Sequence, residues 1–327
     1  MNRRDFIVGC AGLSLAAKAG DAFGQSGPLS KIIFPFAAGG SGDSLCRIVA
    51  QQITQPLGRN FIVEDRNGGD GLIGITAVKN ARPDGTTILV TTGPTMYLLP
   101  MVEAQPSFDT ARDFVPVSLL ARFEFCVVAG PAVDAKNLKD LDFKGFVGWL
   151  KVNPDKATFG VPSNGTIPHF TGSKLEQALG IPLTRVAYRG TTPIINDMLG
   201  GHLPFAVTPV ADVVAQHQAG TLKVLAVSSA DRSPFLPDVP TLRENGIDLV
   251  ADGWYGMWLP AGSPPEFAGQ LSAAVVAAIA KPETREKLLT VGLIPVGSTQ
   301  QGLVQELAAD TALWQPIVKA TGYKINN

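Results

Sequence analysis

A chain of 327 residues, 45% of them apolar and 17% charged, can build one large or two medium domains with a full core, which excludes a disordered chain. Its net charge of −1 leaves no basic field to hold nucleic acid or an anionic membrane. With 35 glycines and 25 prolines, many turns and short elements are expected.

The first 25 residues read as a targeting segment outside the fold. Arg3 and Arg4 precede an apolar run from Phe6 to Ala17 and a small-residue exit, the pattern of a secretory signal peptide. That run is too short for a permanent membrane span. Arg3-Arg4-Asp5-Phe6-Ile7 resembles a twin-arginine signal, with Ala17-Lys18-Ala19 and Ala22-Phe23-Gly24 as alternative cleavage points. Ile7-Val8-Gly9-Cys10 is a loose lipoprotein box with too few apolar residues before Cys10. Cys46 and Cys126 remain after cleavage; export permits a disulfide, but two separate buried thiols is the preferred reading. The three histidines, His169, His202 and His217, lack the spacing of a metal site, so no metal or cofactor is expected.

From there the chain repeats a grammar of strand, glycine-bearing loop and helix. KIIFPF is a strand; Leu45, Ile48, Val49, Ile53 and Leu57 form one apolar face of a helix over 42–56. NFIVED is the next strand, LIGITAVKNA the next helix, and RPDG turns the chain into the strand TTILVTT. This βαβαβ order implies a parallel sheet covered by helices. Residues 113–130 read as two strands that cross between domains. A second α/β run follows: helix FVGWLKVNP, strand ATFGVP, a helix ended by Gly180, strand RVAYRG, a helix with Pro193 in its first turn, strand LPFAVTP, a helix near 210–219 and strand TLKVLAVSS. Thr241 and Glu244 then have the spacing of a capping box, a helix-start device. DGWYGMWLPAG leads into a tail of three helices, the last opened by Ser298 and Gln301 and ending near Gly322. The fold class is therefore α/β with two lobes. Residues 28–127 plus 251–327 form the first and 128–250 the second, with a small-molecule cleft between them.

Three loops carry candidate chemistry. The first, PFAAGGSGD, lies between a strand and a helix, where exposed backbone amides suit an anion. It has no lysine after its glycines and so is not a phosphate loop of the Walker type. Asp43, in the first helical turn, can satisfy those amides itself, hold a water, or meet an ammonium group. The second loop, GVPSNGTIPHF, offers Ser163, Asn164 and Thr166 with open amides at Gly165, and His169 at the following helix start. Gly160-Val161-Pro162-Ser163-Asn164 is not the G-x-S-x-G of a nucleophile elbow. The third, Tyr188-Arg189-Gly190, ends another strand; Arg189 is either a bidentate carboxylate partner or a surface ion-pair residue. The strand ends Thr92 and Thr208 complete the candidate set, since ligands of open α/β sheets lie beyond the carboxyl ends of strands. Gly69-Asp70-Gly71-Leu72-Ile73-Gly74 has the form of a dinucleotide fingerprint. No acid follows between Gly85 and Val102 to hold a ribose, so it reads as a tight turn.

In order along the chain, PFAAGGSGD, VEDRNGGDGLIG, ARPDGTTILV, DFVPVSLLA, FGVPSNGTIPHF, VAYRGTTPIINDMLGG, LKVLAVSSADRSPFLPDVPTLRENG, WYGMWLPAGSP and LWQPIVKATG resemble the Bug-type substrate-binding proteins of tripartite tricarboxylate transporters, over about Lys31 to Ile325. The resemblance implies a periplasmic, monomeric receptor of Venus-flytrap form. It would bind a small organic acid, such as a di- or tricarboxylate or an aromatic acid, and deliver it to membrane permease subunits. It implies ligand contacts at Phe36, Ala37, Ala38, Gly39, Gly40 and Asp43 and at Ser163, Asn164, Gly165, Thr166 and His169, with Tyr188, Arg189 and Gly190 near the same cleft. The family often has Pro and Gly where this chain has Ala37-Ala38, and commonly an Asp where Thr208 stands; the missing acid argues against amino-acid ligands. A receptor and not an enzyme is expected. A periplasmic hydrolase or isomerase acting through Ser163, His169 or Asp43, and a ligand-sensing subunit of a signalling system, stay open as alternatives.

Overall fold

The computed structural model describes residues 28–134, 138–188 and 190–325. The targeting segment and Arg189 lie outside the described residues. In chain order the elements are β1 (Leu29–Phe34), α1 (Ser41–Leu57), β2 (Asn60–Asp65), α2 (Leu72–Lys79), β3 (Thr87–Thr92), α3 (Gly93–Val102), α4 (Thr110–Asp113), β4 (Phe114–Ala129), α5 (Pro131–Asp134) and α6 (Phe143–Val152). They continue as β5 (Thr158–Val161), α7 (Ile167–Leu179), β6 (Thr184–Ala187), α8 (Thr191–Leu199), β7 (Phe205–Pro209), α9 (Val210–Ala219) and β8 (Lys223–Val227). β9 (Asp252–Pro260), α10 (Pro265–Ala280), α11 (Pro282–Thr290), β10 (Ile294–Pro295) and α12 (Gln300–Thr321) close the chain.

The strands form one sheet in the order β2-β1-β3-β9-β4-β7-β5-β6, with β8 and β10 also on β4. Its two ends are parallel: β1 pairs with β2 and β3, and β5 with β6 and β7. The middle is antiparallel, because β9 and β4 return against their neighbours. Where the sequence suggests two strands over 113–130, the chain forms the single strand β4 of 16 residues. Phe114 to Glu124 pair with β9, and Phe125 to Ala129 pair with β7. Register shifts near Ser118 and Leu119 absorb the curvature without breaking the strand. One half of the molecule is thereby tied to the other through the backbone of β4.

The core follows the same division. Ile32, Leu45, Val49, Ile53, Val90, Leu120, Met257, Leu271 and Val275 pack α1 and α10 on the β1–β3–β9 half. Val128, Ile194, Met198, Ala206, Val213 and Val224 pack α8 and α9 on the other half. A third cluster joins α3, α7 and α12 through Leu99, Val102, Phe170, Leu303, Trp314 and Val318, so α12 braces both halves. Cys46 and Cys126 are free thiols in different clusters, and burial raises both well above the ordinary thiol range.

Two sequence expectations resolve differently. Thr241 and Glu244 do exchange the two reciprocal bonds of a capping box, Thr241 N to Glu244 Oε2 at 2.7 Å and Glu244 N to Thr241 Oγ1 at 3.1 Å. They close a turn and no α-helix follows, because Gly246 at φ 80° and Asp248 redirect the chain at once. The last helix is capped by Thr299, whose Oγ1 accepts from Gly302 N, and not by Ser298, whose Oγ accepts from Leu119 N.

Candidate functional site

A cavity of about 600 Å3 opens between the two halves. Its lining includes the first turns of five helices: Gly40, Ser41 and Gly42 at α1; Thr92, Pro94 and Thr95 at α3; Thr166, Ile167 and Pro168 at α7; Gly190, Thr191 and Thr192 at α8; Pro209, Ala211 and Asp212 at α9. Four of these starts, those of α1, α7, α8 and α9, have no side-chain cap. At α3 the Thr92 hydroxyl accepts from Thr95 N at 3.3 Å. Of the helices that do not line the cavity, α6 and α12 are capped by Asp142 and Thr299, whereas α2, α10 and α11 have no side-chain cap. Unsatisfied first-turn amides and aligned peptide dipoles thus converge on one volume.

Five rings form one wall of it. Phe36, Phe34, Tyr255, Phe123 and Phe125 make a continuous chain, with centroids 5.3, 6.2, 4.9 and 5.4 Å apart in that order. Phe34 with Phe36, and Phe123 with Phe125, are two residues apart, so each pair emerges on one side of its chain. Gly42 allows α1 to meet this wall: a Cβ there would lie 2.5 Å from the Phe34 ring and 2.8 Å from that of Tyr255. Two accessible carboxylates also face the cavity. Asp70 accepts from Ser163 Oγ at 3.2 Å, and Asp212 stands near the Thr191 hydroxyl. Partial desolvation inside the cavity raises the pKa of the Asp212 carboxyl above the ordinary value although the residue stays exposed, the Thr191 hydroxyl opposing.

The turn at Gly69–Gly71 places Asp70 at φ 53°. At Gly74 a Cβ would be 2.7 Å from Pro35, so the glycine spacing fits α2 against the loop after β1 instead of forming a dinucleotide cradle.

Of the residues singled out from the sequence, Phe36, Ala37, Ala38, Gly40, Thr92, Ser163, Asn164, Gly165, Thr166 and Gly190 line the cavity. Gly39, Asp43, His169, Tyr188 and Thr208 do not. Asp43 is buried beneath its loop, where Oδ2 accepts from Gly39 N at 2.9 Å and Oδ1 pairs with Arg47 Nε at 2.8 Å. It shapes the loop from behind. His169 is buried, its Nδ1 accepting from Gly165 N at 3.0 Å and its Nε2 meeting the Arg185 guanidinium. Burial first, and Arg185 second, lower its pKa to about 4, so it is a neutral buttress of the second loop. Neither ring nitrogen of His169 meets Ser163, whose hydroxyl donates to the Asp70 carboxylate instead, so no Ser–His pair forms. Tyr188 turns its hydroxyl to Asp197 Oδ2 at 2.8 Å, and Thr208 is buried against Cys126. Asp212, four residues on and in the first turn of α9, places a carboxylate on the cavity.

Sequence reasoning did not single out Asp212 or four of the rings, and it read Asp70 as part of a turn. The i, i+2 spacing of Phe123 and Phe125 was the available signal. Among the described residues no cluster of histidine, cysteine and acids could hold a metal, and no helix is long and apolar enough to cross a membrane.

The sequence profile of the tripartite tricarboxylate transporter family receptor, TctC, matches residues 45–323. This chain is a member of that family. A protein encoded in the tcbD–tcbE intergenic region of Pseudomonas sp. strain P51 is 31% identical over 333 aligned positions, spanning 97% of this chain and 94% of its own. The periplasmic binding protein BugD is 28% identical with a TM-score of 0.77, over 91% of this chain and 98% of that one. Rpa4515 of R. palustris, solved with adipate, is 25% identical with a TM-score of 0.81, over 91% and 98%. The fold is therefore the two-lobed α/β fold of periplasmic binding proteins, and TctC family members are solute receptors and not enzymes.

Proposed function

We propose that this TctC-family receptor captures a small organic acid, a di- or tricarboxylate or an aromatic acid, in the cavity between its lobes and presents it to membrane permease subunits. The observation that carries this is the convergence of five helix N-termini, four without side-chain caps, on that cavity. Each such terminus contributes roughly 0.3–1 kcal/mol toward a bound anion when exposed, and about 2 kcal/mol in partly buried geometry. Several acting together suit a carboxylate while adding no mobile cation that would slow release. The adipate in Rpa4515 supports the same ligand class.

The lobe boundaries belong to this reading: 28–127 with 251–327 against 128–250, closing about β4 as a flytrap. Closure follows if the ligand prefers the closed state. Export through the twin-arginine signal of the first 25 residues and action as a monomer also belong to this reading.

A thermal-shift and calorimetric screen of carboxylic acids against the purified receptor tests it, since binding to the folded state raises the melting temperature. One or more acids are expected to bind in the micromolar range or tighter and to be recovered unchanged. Chemical conversion of the acid, or no binding across the panel, would overturn the reading.

A further inference from the structure

We propose that the preferred ligand is an aromatic carboxylic acid bearing a hydroxyl or amino donor, and that Asp212 selects for that donor. This rests on the carboxylate-receptor reading and narrows it.

The ring wall is the first observation. Phe36 and Phe123 are half-buried while Phe34, Phe125 and Tyr255 are buried, so those two rings present free faces to the cavity. A flat ring stacked there removes apolar surface from water on both partners. A short aliphatic diacid would leave that wall wet.

The second observation is where the acids stand. Asp212 lies on the cavity beside this wall: Phe125 pairs with Pro209, at the start of the Asp212 helix, and the Asp212 charge acts on the Tyr255 hydroxyl. A carboxylate offers about four acceptor positions, and the Thr191 hydroxyl beside Asp212 can fill at most one of them. Asp70, the other acid on the cavity, is held at the Ser163 loop. A ligand with a second or third carboxylate brings it close to one of these fixed negative charges. A ligand with one carboxylate on the helix ends and a neutral donor across its ring satisfies both sets. Closure over a ring without a donor would leave Asp212 desolvated and short of a partner. Sites built to hydrogen-bond a substrate group discriminate strongly against analogues that lack it.

Calorimetric titration of benzoate, the three hydroxybenzoates, the three aminobenzoates, para-methoxybenzoate, succinate and citrate tests this on the wild-type protein, Asp212→Asn and Asp212→Ala, with melting temperatures taken without ligand. The best donor-bearing isomer is expected to bind at least about tenfold tighter than benzoate and para-methoxybenzoate, the scale of one hydrogen bond to a charged group. In both variants that ratio is expected to fall to within about threefold. Equal binding of benzoate and every donor-bearing isomer, or a ratio that survives both substitutions, overturns the inference. Tightest binding of succinate or citrate overturns it while leaving the carboxylate-receptor reading in place; no binding by any acid overturns both.

Discussion

Ser163 Oγ donates to Asp70 Oδ1 at 3.2 Å, which links the loop between β5 and α7 to the turn ahead of α2, 93 positions earlier in the chain. Both residues line the cavity, one from each half of the molecule. Both side chains are solvent-accessible, and the bond is worth about 1 kcal/mol or less to global stability. If the lobes close as proposed, its effect falls on the relative population of open and closed forms. Ser163→Ala is expected to leave the melting temperature within about 2 °C while weakening ligand binding several-fold, the factor that roughly 1 kcal/mol represents. Small-angle scattering of the unliganded variant is expected to show a larger radius of gyration than the parent; an unchanged radius with unchanged affinity would remove the bond from the closing motion.

Asp43 acts through structure. Its removal in Asp43→Ala takes the acceptor from Gly39 N and one of the two carboxylates from Arg47, which keeps Asp65 at 3.4 Å, costing about 1 kcal/mol of stability, read as a lower midpoint in urea with an unchanged slope. Asp43→Asn keeps an acceptor for Gly39 N and is expected to recover part of the loss. A stable Asp43→Ala protein that has lost binding alone would place the carboxylate in the cavity instead.

Gly42→Ala puts a methyl group against the Phe34 and Tyr255 rings, both closed in by the core. Overpacking of this kind costs typically about 1–3 kcal/mol. Because the same rings wall the cavity, affinity for aromatic acids is expected to fall along with the melting temperature.

Two buried groups pull acid stability in opposite directions. Asp310 accepts from Trp254 Nε1 at 2.7 Å and is raised to about 6 by burial, with Glu306 and Asp252 adding to the rise and the Trp254 bond and Arg122 opposing it. Tyr97 faces it from α3. Its folded pKa lies above its unfolded one, so the stability it contributes is full below about pH 4 and lost as pH rises to about 6. His169, lowered to about 4, does the reverse: its contribution is full above about pH 6.5 and lost as pH falls to about 4. Asp310→Asn is therefore expected to steepen the loss of stability on acidification between pH 6.5 and 4, and His169→Asn to flatten it, each by the order of 1–3 kcal/mol across the window. Denaturant titrations at a series of pH values check both signs; two variants tilting the same way would contradict the assignment.

The strand, loop and helix succession was legible because its signals are local. Gly58 and Gly180 close α1 and α7 in the left-handed conformation, and the apolar spacing of Leu45, Val49 and Ile53 gives the buried face of α1. The glycine-rich loops were legible for the same reason. The single long β4 was not, since its continuity depends on β9 and β7, which come more than 75 residues later. The ring wall needs β1, β4 and β9 brought side by side, which no local window contains. Asp43 and His169 were visible as polar residues at helix starts, but only tertiary packing decides that they turn inward to hold Gly39 N and Gly165 N. Asp212 was passed over because it lies in the first turn of the helix after Thr208, where position alone does not reveal that it lines the cavity.

The most direct test is a backbone-amide NMR titration of the isotopically labelled receptor with the tightest acid from the screen. Peptide N–H groups at the starts of α1, α7, α8 and α9 clasp the carboxylate if the helix-terminus site is correct. The largest shifts are then expected at Ser41, Gly42, Ile167, Thr191, Thr192 and Ala211, saturating at the calorimetric affinity. Saturable binding that leaves those amides unmoved, with shifts concentrated outside the cavity, would contradict it.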